Sequence, residues 1–141
     1  MKTGKFWIAV LVTGVVMNVF DYVLHGIILR GMYESDPATF RTMDNPMWFI
    51  IGDFVAVFVM AWFYDRVYGS FSGGLKGGLV YGIYFGIVVS FPAMIFTHLI
   101  FNGFTYGMAW SATIMGVIWG GIAGAIIGAL YKKGEAKAAA A

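Results

Sequence analysis

Apolar residues run along this chain in four long blocks separated by short polar stretches. The blocks are Phe6–Leu29, Met47–Tyr64, Leu79–Phe101 and Met108–Leu130. A helix of about 20 mostly apolar residues crosses the hydrocarbon core of a bilayer, so each block predicts a membrane span, the second near the lower limit of length. Barrel strands are segments of about ten residues with alternating hydrophobicity, and that signature is absent from the sequence. The pattern therefore predicts an all-α integral membrane protein: four transmembrane helices in an up-down bundle, one domain over residues 1–133, and an alanine-rich disordered tail over 134–141. The first residues resemble a signal peptide, with Lys2 and Lys5 ahead of an apolar run. No small-x-small site follows, so the run reads as an uncleaved first span.

Charge placement orients the bundle. Lys2, Lys5, Arg66, Lys76, Lys132, Lys133 and Lys137 fall on one side, against Arg30 and Arg41 on the other, which predicts that both termini are cytoplasmic. Trp7, Trp62 and Tyr131 mark the inner interface by the same reasoning, and Trp48, Tyr106 and Trp110 the outer one. The expected location is a bacterial inner membrane, crossed four times. Between the first two spans, Ser35-Asp36-Pro37 predicts the start of a short helix over Pro37–Met43, and Asp44-Asn45-Pro46 a second start that opens the next span.

Composition narrows the function classes. Hydrophobic residues make up 60% of the chain and charged residues only 11%, against about a quarter charged in ordinary soluble domains. Lipid is thus the expected main partner, and a net charge of +2 gives no reason to expect nucleic acid. The absence of cysteine excludes disulfide frameworks, thiolate metal sites and dithiol redox chemistry. No serine–histidine–acid order or phosphate loop is present, so the reading leans away from an enzyme.

Two glycine ladders stand out. Gly74, Gly78, Gly82 and Gly86 repeat every four residues into the third span, and Gly116, Gly120, Gly124 and Gly128 do so through the fourth. Residues four apart share a helix face, so each ladder is a smooth stripe that admits another backbone closely. The simplest expectation is that spans three and four meet along these stripes in their cytoplasmic halves. The alternative is a homo-oligomer or a larger membrane complex docked on one ladder. Pro92 is expected to bend the outer half of span three, leaving room there. Trp119, inside the ladder of the fourth span, is expected to pack against lipid or a neighbouring subunit.

The candidate chemistry lies in that outer half. Asn18, Asp21 and His25 are spaced three and four apart and form one stripe on span one; Asp53 and His98 fall at similar depth on spans two and three. Ionisable groups in hydrocarbon cost about 2.5–3.5 kcal/mol each on insertion scales and usually mark a pathway, a relay or a ligand. With Arg30 in support, they define an expected polar pocket: Asn18, Asp21, His25, Arg30, Asp53 and His98. His25, His98, Asp21 and Asp53 form a possible divalent-metal set, and His25 with His98 a possible pair of axial ligands for haem b. A structural reading pairs Asp21 with His25 and Asp53 with His98 to hold helices together.

Three functions follow in order of preference. The first is a non-enzymatic membrane protein whose pocket binds a ligand, ion or cofactor. The second is an accessory subunit docking through its glycine faces. The third is a small proton-coupled transporter using Asp21 and Asp53 as protonatable sites.

Overall fold

A computed structural model describes residues 3–36, 40 and 45–130 of the chain. It is all-helical, with no strand among the described residues. Helix α1 spans Thr3–Asp21 and passes directly into a π-helical segment, Tyr22–Ile28. A short α2 follows over Arg30–Ser35, then α3 over Met47–Val67, a 3₁₀ turn at Tyr68–Ser70, α4 over Gly74–Ile100 and α5 over Tyr106–Leu130. Four stretches are long and apolar enough to cross a membrane: Gly4–Ile28, Met47–Ser70, Gly74–Ile100 and Tyr106–Leu130.

Helix ends depart from the apolar blocks where a local contact extends them. Helix α3 continues past Tyr64 through Asp65 and Arg66. The Arg66 guanidinium lies 3.6 Å over the Trp62 ring and donates to the Trp62 carbonyl, so its aliphatic stem stays on apolar surface while the charge reaches outward. Helix α4 starts at Gly74, five residues before Leu79, because its first turns are already packed on α5. It continues through Pro92 to Ile100. At the start of α3 the Met47 amide donates to the Asn45 side-chain oxygen at 2.9 Å, giving the Asn45-Pro46 start signal its physical form. Ser35 instead closes α2, donating to the Met32 carbonyl at 2.8 Å. The expected helix over Pro37–Met43 lies outside the described residues apart from Phe40, whose amide donates to the Asp36 carbonyl at 3.0 Å. The alanine-rich tail also lies outside them.

Helices α4 and α5 touch backbone to backbone. A Cβ added to Gly82 would lie 2.0 Å from the Gly120 carbonyl oxygen; one on Gly78 would lie 2.1 Å from that of Gly124, and one on Gly128 2.5 Å from that of Gly74. Ser90 takes the step after Gly86 and lies against Gly116. Partner numbers rise on α4 as they fall on α5, so the two helices are antiparallel. Only glycine allows this approach, and it brings carbonyls and Cα hydrogens together along the seam.

Helices α1 and α3 meet through side chains. Phe6 and Trp7 pack on Phe58 with ring centroids 5.7 and 5.8 Å apart, and Met17, Val57, Met60 and Tyr64 are fully buried beside them. Tyr81 of α4 ties the two pairs together. Its hydroxyl donates to the Met60 carbonyl at 2.7 Å and its ring lies 4.9 Å from that of Tyr64. The core is thus confined to one end of the bundle. Beyond Met17 on α1, Val57 on α3 and Gly86 on α4, only Ala109 and Thr113 of α5 are buried among the described residues. The other end is open.

Candidate functional site

The first polar turn beyond the core holds two carboxyl groups from different helices. Asp21 is the last residue of α1, one turn past buried Met17; Asp53 lies one turn before buried Val57 on α3. The two carboxyls are within side-chain hydrogen-bonding range of each other. From the third side, the Trp119 indole N–H of α5 donates to Asp21 Oδ2 at 2.8 Å. Three helices therefore converge on one acid, at the floor of the open end. An ionised carboxylate only accepts hydrogen bonds, whereas a protonated one also donates. Such a pair can hold one proton between its members, or a small cation in its place.

The position of Trp119 in a glycine ladder predicts packing on lipid or another subunit, and the contact with Asp21 differs from that. The structure turns its edge inward, since an indole N–H in apolar surroundings needs an acceptor and Asp21 supplies one. That need was the available signal in the sequence. The expected pairings of the acids with histidines also differ from what is observed. For Asp21 and His25 the cause is the π-helical segment, which carries an i+5 hydrogen bond from the Leu29 amide to the Leu24 carbonyl at 2.8 Å. Its wider turn removes the register that places residues four apart over one another. His25 is engaged elsewhere: its Nδ1 is hydrogen-bonded with the Tyr33 hydroxyl, the two rings stacked at 5.8 Å. Arg30 is ion-paired with Glu34 at 2.7 Å, and the pair is exposed.

Tyr33 belongs to α2, outside the spans, and is half-buried. Burial, followed by the nearby charge of Asp21, pushes its phenol up from the ordinary value. Its hydroxyl shares a hydrogen bond with His25 Nδ1. Tyr33 thus lies within reach of the Asp21 charge while it holds His25.

The remaining candidates lie elsewhere. Asn18 donates back to the Gly14 carbonyl of its own helix at 2.9 Å. Arg30 faces outward with Glu34. His98 caps the α4–α5 turn, with Nδ1 2.7 Å from the Phe104 carbonyl oxygen and its ring 5.5 Å from that of Tyr106. Each histidine thus rests on the tyrosine eight positions later, but the segment carrying His25 packs on neither α4 nor α5. Among the described residues, no three histidine, aspartate or glutamate side chains converge as metal ligands. The divalent-metal set of His25, His98, Asp21 and Asp53 is therefore not assembled, because each histidine is engaged by its own neighbour. A groove of about 330 Å³ does open between α4 and α5, lined by Ile87, Phe91, Trp110, Thr113 and Ile114 among others. It is apolar, and none of the candidate polar residues lines it.

Comparison with family models, with curated proteins and with solved structures gives no match to this chain.

Proposed function

We propose that this is a small multi-pass protein of a bacterial inner membrane, both termini cytoplasmic, whose Asp21–Asp53 pair is a proton-exchanging site serving proton-coupled transport. The observation that carries this reading is the meeting of two carboxyls and one indole donor from three apolar helices. A purely structural link between helices needs one donor and one acceptor. Two acids side by side are unfavourable when both are ionised, and a shared proton or a cation relieves that repulsion. Their place supports the same reading. The core closes one side of the pair and the open end leaves the other accessible, as a site loaded from one face requires.

Docking of an accessory subunit through the glycine faces has less support. Gly78, Gly82 and Gly86 already face Gly116, Gly120, Gly124 and Gly128 within the chain.

Protein reconstituted in liposomes containing a pH-sensitive dye tests the proposal. An imposed potassium diffusion potential is expected to drive proton movement that Asp21→Asn and Asp53→Asn each reduce by about tenfold or more, since either change removes the shared proton's second carboxyl. Equal proton movement in the parent and both variants overturns it.

A further inference from the structure

The segment between the carboxyl pair and Tyr33 is wound in a way its own sequence does not require. Tyr22–Ile28 contains no proline, and six of its seven residues are exposed, Leu24 alone being half-buried. It packs on α1 and α2 and on no other element. Seven residues of π-helix exceed the single-turn π-bulges that are the usual form, and those cluster at functional sites. The same backbone donors and acceptors can pair in α register, so the winding is set by what holds the ends. At one end Asp21 is fixed by Trp119 and Asp53. In the middle, His25 is fixed by Tyr33.

We infer that Tyr22–Ile28 is a two-register switch that passes the proton of the Asp21–Asp53 pair to His25. This rests on the proton-exchange reading above and adds its route. In the observed register the two carboxyls share the proton and neutral His25 accepts from Tyr33. In α register His25 falls four residues after Asp21 on the same stripe, within side-chain reach. The Tyr33–His25 bond breaks, the proton leaves the carboxyl pair, and Nδ1 of His25 takes it. Asp21 becomes the carboxylate of a carboxylate–imidazolium pair, and Asp53 is left open to the next proton or cation. Net charge is unchanged by the transfer. Among the described residues, the groups facing Asp21 are Asp53 from α3, the neutral indole of Trp119 from α5 and the Tyr33 phenol from α2; Arg30 and Glu34 neutralise each other at the surface. A two-state element biased by its end contacts is the general form of such a device.

The chain lends itself to a direct test, having two histidines and no cysteine. His98→Gln leaves His25 as the one imidazole, read by nitrogen-15 magnetic resonance in lipid nanodiscs. Spin labels on Ile28→Cys and Phe63→Cys report the length of the switched segment. In this background Tyr33→Phe is expected to convert His25 from neutral to imidazolium and to lengthen the label distance; adding Asp21→Asn returns His25 to neutral. An unchanged imidazole and distance in Tyr33→Phe overturn the switch. The infrared carbonyl band of protonated carboxyls separates this failure from that of the underlying site. If the parent shows that band and Asp53→Asn removes it, the carboxyl pair stands even where the switch fails. If the parent lacks it, both readings fall.

Discussion

Between Gly74 and Leu130 two helices lie backbone against backbone, whereas α1 and α3 are held apart by rings and methyl groups. The difference is clearest at one glycine on each side. A Cβ on Gly82 would meet the Gly120 carbonyl oxygen at 2.0 Å, and one on Gly14 would meet the Phe54 ring at 2.3 Å. These distances are alike, but a carbonyl in a helical ladder cannot move alone, while a ring at the end of a side chain can turn aside. The seam is a fixed fit and the α1–α3 contact an adjustable one. The groups capable of chemistry lie on the adjustable side. Asp21 and Asp53 belong to the first pair of helices, His25 to the π-helical segment that continues α1, and the second pair reaches Asp21 through Trp119. A rigid wall facing a movable one is a common division of labour for sites that must change state.

Substitutions along the two contacts test this contrast, and the largest effect is expected at the seam. Gly82→Leu is expected to destabilise the protein by about 3 kcal/mol or more in a denaturant titration in micelles, because no nearby side chain can yield. Stability within error of the parent there removes the idea of a fixed fit. Trp119→Phe, which cuts the indole bond between the halves, is expected to cost about 1.5 kcal/mol, between a neutral hydrogen bond and one to a full charge. Its effect should fade when Asp21→Ala, which removes the acceptor, is already present, a coupling that a double-mutant cycle reads directly. Gly14→Ala is expected to cost about 1 kcal/mol, the strain of turning the Phe54 ring. A loss matching that of Gly82→Leu would erase the distinction between the two contacts. Gly52→Ala is the smallest case. Its Cβ meets nothing within 4 Å on an exposed helix face, so a gain of about 0.5 kcal/mol is expected from helix propensity alone.

The sequence makes some of this legible and hides the rest. Four helices of spanning length follow from hydropathy, because lipid leaves the backbone of a spanning segment few alternatives to a helix or closed barrel. The four-residue glycine spacing is equally plain, but a stripe does not say what it faces; the contacts at Gly82 and Gly120 supply that. The depth of Asp21 and Asp53 can be counted from the ends of their blocks. Their pairing cannot, because it depends on how α1 and α3 rotate about their axes. The π-helical segment is the main surprise. Nothing in Tyr22–Ile28 marks it locally, and an α-helical count from Asp21 puts His25 at the acid. The actual partner, Tyr33, lies on a helix that begins inside what reads as a polar loop.

The glycine seam also bears on the order in which the halves assemble. Glycine has no rotamers to lose on burial, so closing α4 on α5 carries no side-chain entropy penalty along the stripe, whereas fixing Phe6, Met17, Phe54 and Met60 between α1 and α3 does. The pair synthesised last is thus the pair suited to lock first. The earlier-made helices then settle against a finished surface, and the carboxyl site comes into being only at that final step.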